Sequence, residues 1–393
     1  MMEKLKEKFI EVFGAEGEIH CYFAPGRVNL IGEHTDYNGG HVFPCALDIG
    51  TTAVARKRKD QKLHFYSINF PDHGVIEVSL ESLVFKEEDN WANYPKGVAA
   101  IFQKNNIKLD AGFDVLYFGN IPNGAGLSSS ASIEMVTAVM LNDLFDLRQD
   151  MVKLVKMGQQ AENEFIGVNC GIMDQFASGM GRADHAILLD CQTLDYQYSP
   201  IRLEKHTLVI ANTNKRRGLA DSKYNERREQ CDRALDQLQS ELKIASLGDL
   251  SLDLFEENKH LIQDEVDRKR AKHAVYENQR TLAAVERLNG GDIEAFGKLM
   301  NESHISLRDD YAVTGAELDA LVEAAWNAGA VGARMTGAGF GGCTINLVNT
   351  EESEEFIKNV GEQYETKTGI KADFYIVKIG DGASARPLPS FVE

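Results

Sequence analysis

No run in the sequence is long and apolar enough to span a bilayer, and the opening segment, Met1 to Ile10, lacks the apolar stretch of a secretory signal. Neither membrane insertion nor export is expected, and a reduced cytoplasm is the economical location. Cysteine usage agrees. Cys21, Cys45, Cys170, Cys191, Cys231 and Cys343 are scattered and none belongs to a C-x-x-C pair, which counts against structural zinc and against a disulfide framework. Fixed-period repeats and low-complexity tracts are also missing. Positive charge is scarce: 42 basic side chains face 60 acidic ones, so the net charge is 42 − 60 = −18. An acidic surface repels nucleic acid and anionic membrane, and neither is an expected partner.

What is present fits a globular chain. An apolar fraction of 43% is ordinary, and 393 residues exceed what one hydrophobic core comfortably serves, so two domains are expected. Residues 2–13 carry Leu5, Phe9, Ile10 and Phe13 at helical spacing. Short β-like runs follow at 19–23, 51–56, 63–68, 75–78 and 113–118, and helical segments alternate with strands thereafter. The class is therefore mixed α and β.

The most informative stretch is Pro25 to Gly40, which reads Pro-Gly-Arg-Val-Asn-Leu-Ile-Gly-Glu-His-Thr-Asp-Tyr-Asn-Gly-Gly. Its proline, glycines and charges suit neither a strand nor a helix interior, so it reads as a shaped polar loop. Val28, Leu30 and Ile31 are interleaved with Arg27, Asn29, Glu33, His34 and Asp36, so the polar groups ride on something partly buried and need partners. A polyhydroxylated small molecule would supply many of them. Gly26 to Tyr37 resembles, at every one of its twelve positions, the sugar-binding motif of galactokinases, members of the GHMP family of small-molecule kinases.

A second stretch, Pro122 to Ser132, lies between the strand-like Phe113 to Phe118 and a segment in which Ile133, Val136, Met140 and Leu144 recur as the single buried face of a helix. A Gly- and Ser-rich turn opening a helix offers backbone N–H groups, hydroxyls and the positive end of the dipole, a combination suited to an anion. Helix capping alone would not need three successive serines. No Gly-Lys-Ser or Gly-Lys-Thr follows, so this is not a Walker A loop. It resembles the GHMP phosphate loop instead. Residues 151–166 read as a further helix, with Glu162 either a solvated carboxylate or, by resemblance, a magnesium ligand. Asp174, in Gly171-Ile172-Met173-Asp174-Gln175, is by position alone either a helix cap or a functional carboxylate. Resemblance to the family's Gly-x-Met-Asp-Gln segment favours function.

The basic run of Lys215, Arg216, Arg217, Arg227 and Arg228 reads as a solvated face, within which Tyr224 matches a sugar-binding tyrosine of the family. Residues 255–289 read as charged helix without distinct chemistry, and His260, His273 and His304 lack the companions a metal site needs. The third glycine-rich stretch, Arg334 to Cys343, reads as a turn before the strand-like Thr344 to Val348. It resembles the third GHMP motif, a loop that closes beside the active site.

The resemblance implies an α+β, two-domain GHMP kinase fold with the active site in the cleft between domains, divided near residue 205 into 1–205 and 206–393. It also implies transfer of the γ-phosphoryl group of ATP to the anomeric hydroxyl of α-D-galactose, giving galactose 1-phosphate and ADP, the entry to galactose catabolism by the Leloir pathway. Asp174 would take the proton, with Arg27 beside it. Glu33, His34, Thr35, Asp36 and Tyr224 would hold the sugar. Ser67 and the loop residues Gly124, Ala125, Gly126, Leu127, Ser128, Ser129 and Ser130 would hold the nucleotide, and Ser130 and Glu162 would hold Mg2+. Trp91 and Tyr94 either face the adenine or are plain core. Because the acidic surface would repel ATP, Arg27 and the dipolar loop must supply local positive charge. A monomer is expected. Two rivals stand beside this reading: an N-acetylgalactosamine kinase, and a sensor that binds galactose and ATP without turnover, against which the Ser130-Ala131 pair counts. Mevalonate and homoserine kinases lack the Glu33-His34-x-Asp36 cluster.

Overall fold

A computed structural model describes residues 2–122, 124–215 and 220–387; Asn123, Arg216 and Arg217 of the stretches above lie outside them. Among the described residues the strands are, in chain order, β1 (His20–Asn29), β2 (His41–Val42), β3 (Pro44–Lys57), β4 (Lys62–Ser67), β5 (Ile76–Ser79), β6 (Phe113–Gly119), β7 (His185–Asp190), β8 (Tyr196–Pro200), β9 (His206–Asn212), β10 (Gly332–Thr336), β11 (Cys343–Asn349), β12 (Asp373–Ile376) and β13 (Ser384–Arg386). They form a six-stranded sheet in the order β13-β1-β3-β6-β4-β5, a four-stranded sheet β10-β11-β9-β12, and a three-stranded sheet β2-β7-β8. Only β4 and β6 run parallel among these pairings.

The two-residue period of the first sheet explains its burial on both faces. Cys21, Val54, Tyr66 and Leu116 point one way and meet Leu5 and Phe9 of the helix Met2–Phe13. Their neighbours Tyr22, Ala53, Ala55, Phe65, Val115 and Tyr117 point the other way, into a core shared with Met135, Val136 and Met140. Each fully buried side chain of this size contributes about 1.5–3 kcal/mol relative to exposure. That central helix, Ser129–Leu144, is buried continuously from Glu134 to Leu141, whereas its sequence pattern reads as one buried face. It is wedged between the sheet and other helices, so even its polar positions are enclosed.

Three further expectations change. Pro25 to Asn29 is not loop but the end of β1, paired with β3 across a register shift between Pro25 and Arg27; the irregularity lets a Pro and a Gly sit in a ladder and re-aims Arg27. The loop proper starts at Leu30. Arg334 to Thr336 is likewise strand, in β10, ahead of the glycine turn. The segment 151–166 is an α-helix only to Gln160 and continues as a π-helical turn, Ala161–Ile166, a geometry often found at functional sites. The chain enters the second sheet at β9, and β13 returns to pair with β1 in the first. No helix among the described residues is long and apolar enough to cross a membrane.

Candidate active site

The end of β1, the loop behind it and three glycine-rich turns enclose a cleft of about 340 Å³, lined among others by Arg27, Glu33, His34, Asp36, Gly124, Ser130, Glu162, Asp174, Tyr224 and Gly337. At its floor Arg27, 3% exposed, donates from Nε to Asp174 Oδ1 at 2.8 Å and from Nη2 to Asp174 Oδ2 at 2.9 Å. This is a fork-to-fork pair, the geometry that suits a guanidinium to a carboxylate. Arg27 Nη1 donates to the Gly126 carbonyl at 3.0 Å, and its backbone N–H to the Leu127 carbonyl at 3.1 Å. Asp174 stands in the first turn of the helix Met173–Met180. It is joined there by Ser128, whose hydroxyl donates to Oδ2 at 2.5 Å.

The glycine turns interlock where a side chain would collide. A Cβ on Gly26 would lie 2.6 Å from the Leu127 carbonyl oxygen, and one on Gly337 would lie 2.8 Å from that of Gly126. Gly337 also has a φ of +86°, open to glycine at little cost. Through its N–H, 2.8 Å from Glu33 Oε1, it ties the third motif to the first. Glu33 is buried and further paired with Arg334, a wholly buried cation 3.4 Å away. Burial raises the Glu33 pKa while Arg334 and Arg27 oppose the rise.

Asp36 accepts from the N–H groups of Tyr37 (3.0 Å) and Met173 (3.4 Å), and Gly171 packs so closely on it that a Cβ there would fall 1.9 Å from Asp36 Oδ2. Burial, then the charge of Asp174, pushes the Asp36 carboxyl up to about 6. Tyr224 forms a wall of the cleft against the rings of His34 and Tyr37.

His34 and Thr35 are turned differently from the sugar-donor role read from the motif. His34 Nε2 is 3.2 Å from the Ala338 carbonyl, which can only accept, so this nitrogen carries the proton; Nδ1 then accepts from the Tyr37 hydroxyl at 2.8 Å. Both ring nitrogens are engaged, and burial keeps the ring neutral with a pKa near 3. The Thr35 hydroxyl is spent on the Gly32 and His41 carbonyls at 2.8 and 2.7 Å. Both side chains shape the loop.

On the opposite wall, Gly124 and Gly126 have positive φ, and Ser129 opens the central helix. Ala125 and Leu127 are buried between them and are not among the residues lining the cleft. Glu162 lines the cleft with Ser130, and its carboxyl is pushed up to about 7 by burial and then by Asp174. Gln175 Nε2 bridges Glu162 Oε2 (2.7 Å) and Glu134 Oε2 (2.9 Å), and the other oxygen of Glu134 is buried without a hydrogen-bond partner. Packed carboxylates of this kind call for a cation or a proton. A second cavity of about 210 Å³ adjoins the first at Ser129 and Ser130 and is lined by Ser67, Phe70, Trp91, Tyr94 and Tyr117. Trp91 stacks on Phe70 there and is nearly buried.

The segment 255–289, read as charge without chemistry, supports the whole loop. In the helix Glu265–Asn289, Glu277 Oε1 accepts from the N–H of Gly32 (3.0 Å), the N–H of Glu33 (3.4 Å) and the Ser303 hydroxyl (2.6 Å). Burial raises its pKa, but Arg280 and other cations more than offset this and hold it near 2. His273 Nε2 donates to the Glu33 carbonyl at 3.0 Å, and Asn278 Oδ1 accepts the His41 N–H at 2.8 Å. The available signal was polar residues on the helix's buried stripe, Arg270, His273, Glu277 and Thr281, at three- and four-residue spacing. Arg227 departs from expectation too: it is 8% exposed and donates to the carbonyls of Tyr311 (2.8 Å) and Ala312 (3.0 Å), beside the Asp310 carbonyl that accepts from Arg270.

A cleft that sets a carboxylate–guanidinium pair against a glycine-serine turn fits the class of GHMP small-molecule kinases, and the chain matches that class in two segments: residues 93–182 match the GHMP kinases N terminal domain and residues 281–366 the GHMP kinases C terminal domain. Its fold is similar to that of Methanococcus jannaschii mevalonate kinase, with a TM-score of 0.64 at 20% identity over 93% of this chain and 99% of that one. Residues 7–57 match the galactokinase galactose-binding signature. The chain belongs to the galactokinase family: it is 61% identical to the galactokinase of Fusobacterium nucleatum subsp. nucleatum over 98% of this chain and 99% of that protein. It is 56% identical to that of Bacillus subtilis over 98% of both. Lactococcus lactis galactokinase, solved complexed with galactose, superposes with a TM-score of 0.96 at 51% identity, covering 98% of this chain and 99% of that one.

Proposed function

We propose that this chain transfers the γ-phosphoryl group of ATP to the anomeric hydroxyl of α-D-galactose, with Asp174 and Arg27 as the catalytic pair. The observation that carries the reading is the bidentate Arg27–Asp174 contact at the floor of a cleft whose two walls differ in chemistry, carboxylates and Tyr224 on one side and a glycine-serine turn on the other. Glu33, Asp36 and Tyr224 accept and donate to sugar hydroxyls, and the backbone N–H groups of Gly124 to Ser130 hold the phosphates at the start of the central helix. His34 and Thr35 contribute by fixing the loop.

In the reaction the anomeric O–H gives its proton to Asp174 as its oxygen bonds to the γ-phosphorus, and the bond to the β,γ-bridging oxygen breaks to release ADP. Arg27 holds the carboxylate oriented and carries positive charge toward the transferred oxygens. Ser130 and Glu162 are hard oxygen donors beside an unpaired Glu134 oxygen, a set that fits Mg2+, which usually takes only one or two protein ligands and keeps phosphate and water for the rest. Bound there, the ion would neutralise phosphate charge. The adjoining cavity with Ser67, Trp91 and Tyr94 is more apolar than polar, and suits the adenine.

The division near residue 205 is supported by the passage from β8 to β9, and the cytoplasmic assignment by six free thiols. A monomeric working unit completes the reading. ADP release with galactose, N-acetylgalactosamine, galactosamine and glucose tests it: galactose should give the highest turnover. Protein that binds galactose and ATP yet releases no ADP would overturn the enzyme reading, and faster turnover of N-acetylgalactosamine would overturn the substrate.

A further inference from the structure

Ser128 is a residue whose backbone and side chain both invite explanation. It lies between the phosphate turn and the central helix with φ +60° and ψ +50°, the left-handed region that disfavours any residue with a Cβ. It stands at the helix N-cap, yet its hydroxyl makes no capping hydrogen bond. Instead the hydroxyl donates to Asp174 Oδ2 at 2.5 Å, on the same oxygen that receives Arg27 Nη2. The residue is 7% exposed, so solvent does not substitute readily for that bond. Glycine would satisfy the backbone at lower conformational cost, as it does at Gly124 and Gly126 in the same turn. Strain that persists where a strain-free residue would serve points to a role for the side chain.

We infer that Ser128 is a positioning residue for the phosphoryl transfer, holding the Asp174 carboxylate in the plane set by Arg27 so that its accepting oxygen faces the sugar hydroxyl; this rests on the catalytic reading of Asp174 above. With Arg27 alone, the carboxylate has two donors on one edge and nothing to fix its tilt. The hydroxyl supplies a third, charge-assisted contact from a different element. Its cost is a left-handed backbone at a non-glycine residue. The contact is therefore maintained against local stability, which separates it from a merely structural bond.

Comparison of Ser128→Gly and Ser128→Ala with the parent tests this. Both lose the hydroxyl, but only glycine relaxes the backbone. Ser128→Gly should melt higher than Ser128→Ala, while both should show the same fall in kcat, on the order of tenfold or more for loss of one charge-assisted contact. KM for galactose and for ATP should stay close to the parent values. Parent-like kcat in Ser128→Gly would overturn the inference, because activity would then follow the backbone and not the hydroxyl. A raised KM for ATP with unchanged kcat would also overturn it, placing the hydroxyl on the nucleotide. Absence of galactose turnover in the parent itself would instead sink the functional reading, which keeps the two failures distinct.

Discussion

Replacement of Asp174 by asparagine separates proton acceptance from binding. The carboxylate is 26% exposed and its partner Arg27 only 3%, so the substitution leaves a buried guanidinium facing a neutral amide. Removing one partner of a fully buried pair costs about 3–5 kcal/mol. Here the loss should fall nearer 2–3 kcal/mol, roughly, because Asp174 is partly solvated and asparagine keeps one acceptor for Arg27. Arg27 also retains the Gly126 carbonyl and the fields of Glu33 and Asp36. The protein should therefore fold and melt several degrees lower. Without a base, kcat should drop by about 10²–10⁴. Galactose affinity by calorimetry should change less than about tenfold, since one hydrogen bond among several is replaced. A variant that keeps more than a tenth of parental kcat removes Asp174 from proton transfer, and one that binds no galactose makes it a binding residue first.

Three further outcomes follow from the carboxylates around it. Glu33→Gln keeps the shape but removes the charge that Gly337 and Arg334 address. KM for galactose should rise by about 10- to 100-fold, with kcat falling less, for a loss of about 1.5–3 kcal/mol; an unchanged galactose dependence would take Glu33 out of the pocket. Glu162 is raised to about 7, so below neutral pH a proton competes with Mg2+ for it, and the Mg2+ concentration for half-maximal rate should fall about tenfold between pH 6 and pH 8. The stability linkage has a matching sign. A folded pKa above the unfolded one stabilises below the unfolded value, near 4.5, and that contribution is lost as pH rises through about 7, with Asp36 behaving alike near 6. Buried His34 and His273, kept neutral by depressed pKa values, act in the opposite sense over the same range, so the carboxylate contribution is read against Glu162→Gln, which stays neutral and should gain in melting point over the parent as pH rises from 5 to 8; an Mg2+ dependence flat with pH, or a parent-to-variant melting difference that does not change over that range, would contradict the assignment.

Much of the site was legible because its chemistry is concentrated in short stretches. Arg27 and Asp174 lie 147 positions apart and the structure brings them into contact; the polar mixture around Arg27 marks it, whereas Asp174 reads equally as a helix cap until the family resemblance favours function. The direction in which a polar side chain points was not legible. His34 and Thr35 carry donors suited to a sugar, but His34, which lines the cleft from a left-handed backbone, has both ring nitrogens engaged by protein, and the Thr35 hydroxyl is turned into the loop. The supporting layer was hidden for a different reason. Glu277 and His273 sit in a helix so rich in charge that it reads as solvated, and only packing against the loop reveals them as its internal donors and acceptors. Likewise Pro25 to Asn29 violates strand propensity, and the pairing with β3 overrides it through a register shift.

Identification of the product bears most directly on the central claim that Asp174 and Arg27 flank the anomeric oxygen. Parent protein supplied with ATP, Mg2+ and galactose, followed by phosphorus NMR of the purified sugar phosphate, should show the phosphoryl group on the anomeric oxygen in the α configuration, with one ADP formed per sugar. Phosphate on any other hydroxyl, or ADP with inorganic phosphate and unmodified sugar, would contradict it.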